Sequence, residues 1–128
     1  DYGCGSGILA VAAALLGASP VYATDTDPQA IAATEMNAAR NGVDINAGLV
    51  DDLRLAPAHL VMANILAQPL ARLADRLSSL VRPGGELVLS GIMVDQADWV
   101  KQAYRNLLAP AAEAELDGWM RLVFRKPQ

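Results

Sequence analysis

Apolar and polar residues along this chain alternate with two different periods, and the pattern predicts strands and helices in regular succession. Four segments, 6–16, 28–41, 69–81 and 96–108, are predicted to be helices. The first is almost continuously apolar, and in the third Leu70, Leu73, Leu77 and Leu80 recur at the spacing of one face of an amphipathic helix. Short apolar runs typical of strands occupy segments 21–25, 45–50, 60–64 and 86–90. Two further runs, 112–116 and 119–124, are joined by Asp117-Gly118, a pair that favours a hairpin turn.

Residues at the ends of these segments support the same boundaries. Gly17 and Gly42 follow the first two helical segments, at the position where glycine commonly ends a helix. Asp27 is predicted to cap the second helix, because Pro28 follows it at the first helical position. Repeated strand–helix units predict an α/β fold with a doubly wound, mostly parallel sheet. The C-terminal hairpin adds an antiparallel edge to that sheet.

Composition fits one globular domain and narrows the class of partner. Hydrophobic residues make up 53% and charged residues 19% of the 128 positions, a length that suffices for one sizeable core. The net charge of −4 arises from 14 acidic and 10 scattered basic residues, which argues against a nucleic-acid surface. The longest apolar run, 8–18, is too short to cross a bilayer and is predicted to be a buried helix. The single cysteine fits a reducing compartment.

The opening stretch DYGCGSG carries the first chemical signal. Gly3, Gly5 and Gly7 are expected in a strand-to-helix turn, where glycine permits positive φ and a close approach of a ligand to the backbone. The following helix N-terminus favours an anion or carboxylate. The spacing is G-x-G-x-G, so Ile8 occupies the place of the third glycine of the dinucleotide fingerprint. Pyrophosphate binding is therefore disfavoured, and a P-loop is excluded since no Gly-Lys-Ser/Thr follows.

The same loop predicts a strand directly before Asp1, because such a turn connects the first, central strand of the sheet to its first helix. The sequence does not contain that strand. We therefore expect the chain to be a fragment that lacks the first strand of its sheet. A sheet without its central strand exposes two unpaired edges, so we expect the fragment alone to fold poorly.

Two polar residues are expected at the carboxyl ends of strands, where ligands bind in open α/β sheets. Asp25 ends the second predicted strand of the full sheet, and a carboxylate there accepts hydrogen bonds from a ribose diol. Asp27 is the competing acid, but its position before Pro28 favours a helix cap. Asn64 ends the strand 60–64, where its amide offers an acceptor and a donor but no base at neutral pH. It fits a group that orients an amine without taking its proton.

The remaining reactive side chains are assigned structural roles. Cys4 lies in the loop without a neighbouring histidine in the sequence and is interpreted as a small loop residue, not a nucleophile. Trp99 and Trp119 are interpreted as packing residues. The sequence contains one histidine and one cysteine, so no metal site is expected.

Six stretches together resemble a known family: DYGCGSG, ATDTDPQAI, NAARNG, ANILAQPL, RPGGELVLSGI and WMRLVFR. They are similar to class I S-adenosylmethionine-dependent methyltransferases with a Rossmann-like sheet. Within that class the chain resembles, over essentially its whole length, the catalytic domain of the bacterial methyltransferases of large-subunit ribosomal protein eleven. Many amino-methylating members of the class carry an Asn-Pro-Pro-aromatic motif where this chain has ANILA-x-PL. This difference narrows the resemblance to that one family within the class.

The resemblance implies a set of functional residues and partners. Gly3, Gly5 and Gly7 line the methionine part of S-adenosylmethionine, Asp25 holds the ribose, and Asn64 faces the target amine. Asp51 or Asp52 falls where the family places a residue near the adenine. The full set of cofactor-binding candidates is Asp1, Gly3, Gly5, Gly7, Asp25, Asp51 and Asn64, with Asn64 also the catalytic candidate.

The resemblance also implies that residues 1–128 form one catalytic domain, without the N-terminal substrate-recognition domain of the family. The expected reaction is methyl transfer to lysine side chains or the N-terminus of a large-subunit ribosomal protein, by a cytoplasmic, monomeric enzyme. No direct nucleic-acid or membrane partner is expected.

Three other functions stay open at this point. The acceptor of a class I methyltransferase is in other cases an RNA base or another protein's lysine, although the acidic net charge of the chain disfavours RNA. A dinucleotide-dependent oxidoreductase is disfavoured by the loop spacing. A catalytically inactive cofactor-binding domain that serves in protein interaction is disfavoured by the presence of the glycine loop, Asp25 and Asn64 together.

Overall fold

The structure, a computed structural model, describes all residues from 1 to 128. The chain forms two compact units, Asp1–Leu55 and Ala56–Gln128. In each unit strands alternate with helices in the order that the hydrophobic pattern predicts. None of the helices combines the length and the apolar character that crossing a membrane requires.

The first unit contains two helices and a small parallel sheet. Its elements are α1 (Ile8–Leu15), β1 (Tyr22–Asp25), α2 (Pro28–Arg40) and β2 (Asn46–Leu49). Strands β1 and β2 pair in parallel with Asp25 opposite Leu49, and Tyr2 makes a single parallel bridge to Thr24. The carboxyl ends of both strands therefore lie at the same edge of this sheet.

Local signals set the ends of the two helices. Helix α1 begins at Ile8, two residues later than predicted, because Gly7 has a left-handed backbone with φ of 84°. The predicted cap of α2 is confirmed, since the Asp27 carboxylate accepts a hydrogen bond of 2.9 Å from the amide of Gln29, with Pro28 in the first turn. Asn41 follows the last helical residue, and Gly42 then takes a left-handed conformation, as expected at the end of a helix.

Small side chains form the core of the first unit. Cys4, Ala10, Val21 and Ala23 are buried together. The expectation that the apolar run 8–18 forms a buried helix is only half right. Its helix buries Ala10 and Val11, but Ile8, Leu15 and Leu16 are 70%, 59% and 88% exposed, since only one side of the helix has neighbours within this small core.

The second unit is a four-stranded mixed sheet with helices. Its elements are β3 (Ala58–Asn64), α3 (Ala67–Arg72), α4 (Ala74–Ser79), β4 (Val81–Met93), a 3₁₀ turn (Val94–Gln96), α5 (Ala97–Tyr104), β5 (Ala109–Leu116) and β6 (Trp119–Arg125). The strand order is β3-β4-β6-β5, with β3 and β4 parallel and the other two pairings antiparallel. The predicted C-terminal hairpin is confirmed. Asp117 and Gly118 both have positive φ, as a type I′ turn requires.

One segment predicted to be a single helix forms two helices in the structure. Segment 69–81 divides into α3 and α4 at Leu73, which has ψ of 12°, and Val81 already belongs to β4. Of the four leucines predicted to share one face, Leu70, Leu77 and Leu80 are buried and Leu73 is half-buried. Hydrophobic periodicity identifies residues that share a face, and a single non-helical residue between two short helices leaves that periodicity intact.

Alternate strand residues build the core of the second unit. Leu87 and Leu89 on β4 are fully buried between their paired neighbours Val61 and Ala63 on β3 and Phe124 and Leu122 on β6. The phenol of Tyr104 on α5 donates a 2.6 Å hydrogen bond to the carbonyl of Leu70, and its ring stacks on Phe124. Burial raises the pKa of the Tyr104 phenol. This apolar sheet holds the end of β3, and thereby Asn64, in a fixed frame.

Candidate functional site

The glycine loop of the first unit takes the backbone conformation that the sequence predicts. Gly3, Gly5 and Gly7 have φ of 80°, 52° and 84°, values that side-chain-bearing residues rarely adopt. The amides of Gly3 and Cys4 both donate to the carbonyl of Thr24, at 2.8 and 2.9 Å. The loop is thus fastened to strand β1 through main-chain atoms.

Helix α2 supports the loop from the other side. The hydroxyl of Thr34, which is completely buried, donates to the carbonyl of Gly5 at 3.1 Å. The side-chain amide of Asn37 donates to the carbonyl of Ser6 at 2.7 Å. Sequence reasoning missed both residues. The available signal was Thr34 itself, a polar residue on the stripe of α2 that also carries the buried Ala30 and Ala38.

Asp25 lies at the end of β1 with its carboxylate turned to the loop. One oxygen accepts a 3.0 Å hydrogen bond from the amide of Gly5, and the other accepts one of 3.0 Å from the amide of Asp27. Each carboxylate oxygen accepts about two hydrogen bonds, so each oxygen of Asp25 is able to accept one more. Asp25 therefore fixes the loop and still presents two acceptors.

The other two acids of the first unit differ in their surroundings. The Asp1 carboxylate accepts a 3.2 Å hydrogen bond from the amide of Ala10 and so caps the first turn of α1. Asp51 follows β2, whose last residue Leu49 is paired with Asp25, and it is exposed. The structure thus places Asp1 within the loop framework and Asp51 at the same sheet edge as Asp25.

These residues fit a ligand with a carboxylate at one end and a ribose diol at the other. A Cβ atom built at Gly5 would meet nothing within 4 Å, so its positive φ, and not crowding, favours glycine there, and the space beside the loop is open. The first amide of α1, that of Ile8, is free of intramolecular hydrogen bonds, as an anion at a helix N-terminus requires. The two acceptors of Asp25 match the two hydroxyls of a diol.

Cys4 has no nucleophilic character in this loop. It is buried, and its sulfur accepts a hydrogen bond from the hydroxyl of Thr34 at 3.3 Å. Burial is the main cause that raises the pKa of the Cys4 thiol above its ordinary value, which disfavours the reactive thiolate. The structure supports the interpretation of Cys4 as a packed loop residue.

Asn64 belongs to the second unit, where it ends β3 and is paired with Ser90 on β4. Its side chain is exposed and makes no hydrogen bond. Both residues line an open depression of about 530 Å³, together with Gly91, Ala114, Glu115, Leu116, Trp119, Met120 and Arg121. The carboxamide is therefore free to bind a ligand that enters this depression.

Trp119 corrects the interpretation of the tryptophans as packing residues. Trp119 is 52% exposed and Trp99 is 50% exposed. Trp119 also borders the same depression as Asn64. Its position directly after the hairpin turn places it at the open end of β6. Strand periodicity does not reveal this exposure, because it shows on which face of the sheet a residue lies but not whether another element covers that face.

Comparisons with known proteins give one consistent result. The family model described as ribosomal protein L11 methyltransferase (PrmA) matches residues 1–127. The ribosomal protein L11 methyltransferase of Azotobacter vinelandii is 54% identical over 125 residues, which are 95% of this chain and 43% of that protein. The protein of the same name from Thiobacillus denitrificans is 51% identical over 123 residues, 96% of this chain and 42% of that protein.

A solved structure extends the agreement to the fold. The ribosomal protein L11 methylase of Lactobacillus delbrueckii subsp. bulgaricus superimposes with a TM-score of 0.91 at 36% identity, covering 100% of this chain and 69% of that one. The predicted class I methyltransferase fold, an α/β architecture with an antiparallel C-terminal hairpin, is confirmed. The chain spans less than half the length of the curated relatives it matches. By the family match over residues 1–127, this chain belongs to the ribosomal protein L11 methyltransferase family.

Proposed function

We propose that the protein transfers methyl groups from S-adenosylmethionine to amino groups, lysine side chains or the N-terminus, of ribosomal protein L11. The observation that carries this proposal is the glycine loop, whose three positive-φ glycines lie beside the two free acceptor positions of Asp25. Family membership supplies the acceptor, since the relatives are named for ribosomal protein L11. The substrate partner is therefore a protein, and the expected location is the cytoplasm.

In this proposal the first unit binds the cofactor. The backbone of Gly3, Gly5 and Gly7 lies along its methionine part. The Asp25 carboxylate, already oriented by the amides of Gly5 and Asp27, accepts hydrogen bonds from the ribose hydroxyls. Asp51 contacts the adenine end, and Asp1 acts indirectly by holding the first turn of α1.

The second unit contributes Asn64. Its side-chain oxygen accepts a hydrogen bond from the acceptor amine and so directs the nitrogen lone pair, while the proton of the amine is lost to water. When bound, S-adenosylmethionine supplies an activated methyl group on a cationic sulfonium. Orientation of the reactants alone lowers a barrier by as much as about 7–11 kcal/mol, so a residue that only orients the amine is sufficient for this chemistry. We propose that residues 1–128 form one catalytic domain.

Calorimetric titration of the full-length protein tests the cofactor. S-adenosylmethionine should bind and NADH should not. Asp25→Ala should weaken binding by at least roughly 100-fold, because it removes two hydrogen bonds to a charged group, each worth about 1.5–3 kcal/mol. Asp27→Ala is the matched control, a neighbouring carboxylate that caps α2 and should leave affinity within about twofold while costing ~1 kcal/mol of stability. Binding of NADH alone would overturn the proposal.

Turnover on ribosomal protein L11 tests the role of Asn64. Asn64→Ala should lower kcat by about 10- to 100-fold, since it leaves the amine free to rotate. Full turnover in that variant would exclude Asn64 from the reaction. Methylation of RNA in place of the protein would move the acceptor to a nucleic-acid base.

A further inference from the structure

Gly91 lies next to Asn64 at an irregular point of the central strand. The pairing of β4 with β6 shifts its register between Leu89 and Ile92, and Gly91, inside that bulge, has φ of 83°. Bulges of this kind frequently re-aim a side chain beside a functional site. Both Gly91 and Asn64 line the same depression.

The missing side chain of Gly91 leaves room that Asn64 uses. A Cβ atom built there would lie 2.9 Å from the side-chain oxygen of Asn64 and 2.5 Å from the carbonyl oxygen of Ile65. Contacts this short force atoms apart, and the Ile65 oxygen belongs to the backbone, which does not swing away as the end of a long side chain does. Any side chain at position 91 therefore displaces the end of β3 as well as the carboxamide.

The orientation of Asn64 depends on packing. The carboxamide makes no hydrogen bond, and the residue is exposed. Its position is set by its place at the end of β3, opposite Ser90, and by the close approach of Gly91. Because packing alone orients the Asn64 carboxamide, its orientation changes when the neighbouring backbone moves.

We propose that Gly91 is a positioning residue that orients the Asn64 carboxamide toward the acceptor amine. Gly91 does this through its close backbone approach to Asn64 and Ile65. The inference rests on the proposed function, in which Asn64 directs the amine.

The test is a cycle of variants in the full-length protein, assayed for methylation of ribosomal protein L11. Gly91→Ala should lower kcat by about 10- to 100-fold, the effect of misplacing a group by roughly an ångström. The KM for the protein substrate and the affinity for S-adenosylmethionine should change less than about twofold. In an Asn64→Ala background the same substitution should cost less than about twofold, because effects that pass through one residue do not add.

Gly84→Ala is the matched control. Gly84 lies on the same strand with φ of 79°, but the three atoms nearest to a Cβ built there all belong to the side chain of Gln128, which is long and moves easily. Both variants therefore carry similar backbone strain, and only one disturbs Asn64. Equal activity of Gly91→Ala and Gly84→Ala, with Asn64→Ala impaired, would overturn the role of Gly91 but not that of Asn64. Full activity of Asn64→Ala would overturn the proposed role of Asn64 first.

A measurement on the unmodified protein covers the case in which Gly91→Ala does not fold. Nuclear magnetic resonance should detect restricted rotation of the Asn64 carboxamide, whose side-chain oxygen faces Gly91. Free rotation of the Asn64 carboxamide in the folded protein would contradict the proposal.

Discussion

The glycine loop of the first unit and the end of β3 in the second unit are stabilised in opposite ways. The loop is held by converging hydrogen bonds from β1 and from α2, with Thr34 completely buried beneath it. Asn64 makes no hydrogen bond and stands exposed at the end of a strand whose sheet is packed by apolar residues. The first region is fixed by polar contacts to main-chain atoms, and the second by packing.

This difference matches the two kinds of ligand proposed for them. A small cofactor of constant shape is bound best by a loop whose donors and acceptors are already in place, because little ordering then accompanies binding. A side chain of another protein must enter and leave, and an open depression with a free carboxamide permits that. Substitutions should therefore affect stability most in the loop and orientation most around Asn64.

The largest effect on stability is expected at Gly7. Gly7→Ala places a Cβ 2.8 Å from the Thr34 side chain and 3.0 Å from its Cα atom, and φ of 84° is already unfavourable for alanine. Strain and overpacking each cost about 1–3 kcal/mol, so the free energy of unfolding should fall by roughly 3 kcal/mol. Urea denaturation followed by circular dichroism measures it.

Gly17→Ala separates the two causes. Gly17 also has positive φ, of 102°, but nothing lies within 4 Å of its built Cβ. This variant should lose only the strain contribution, about 1 kcal/mol. Equal losses at Gly7 and Gly17 would mean that the contact with Thr34 contributes nothing, and the loop would then be less tightly held than the comparison states.

The sequence predicts most of what depends on local chemistry. The three glycines, the Asp27 cap and the Asp117-Gly118 turn each need a particular backbone conformation, and residue type alone indicates it. The order of helices and strands follows from apolar spacing, and so does the burial of Leu70, Leu77 and Leu80. These features are determined by neighbours within a few positions along the chain.

Features that depend on distant residues were not predictable in the same way. Thr34 contacts Gly5 across 29 positions, and no local pattern shows that its hydroxyl supports the loop. The contact of Asp25 with the amide of Gly5, 20 positions away, likewise depends on tertiary structure. The candidate residues could therefore be found from sequence, whereas the residues that position them needed the structure.

Thr34→Val tests the polar support of the loop with a smaller change. Valine has the shape of threonine but cannot donate to the Gly5 carbonyl or to the Cys4 sulfur. The free energy of unfolding should fall by about 1 kcal/mol, the usual contribution of one such hydrogen bond. Affinity for S-adenosylmethionine, measured by calorimetry, should fall several-fold because the loop is less ordered before binding.

Thr34→Ser is the matched variant, since it keeps the hydroxyl and loses only a methyl group. It should retain the affinity that Thr34→Val loses. Unchanged affinity in Thr34→Val would show that the hydrogen bonds to β1 suffice to order the loop. Only the contacts with β1 would then distinguish the loop from the region around Asn64.

The smallest effect is expected for the ion pair of Lys101 with Glu113, which connects α5 to β5. Both side chains are partly exposed, and Asp98 lies 3.7 Å from the ammonium. Lys101→Met keeps the apolar stem and should cost only about 0.2–1 kcal/mol at pH 7. A loss above ~2 kcal/mol would show that polar contacts also hold the second unit, contrary to the comparison.

The pH dependence of that loss gives a sharper test. The hydrogen bond with Glu113 raises the pKa of Lys101 above its ordinary value, so the folded state holds the proton more tightly than the unfolded chain. The contribution of the pair should therefore be fully present below the ordinary lysine pKa of about 10.4 and disappear as pH rises through the raised value. Urea denaturation of both proteins over a series of pH values from neutral to strongly alkaline should follow the difference between their free energies of unfolding. That difference should be constant at first and then vanish. A difference that persists when the ammonium is deprotonated would assign it to lost packing of the stem, because only the charged form binds Glu113.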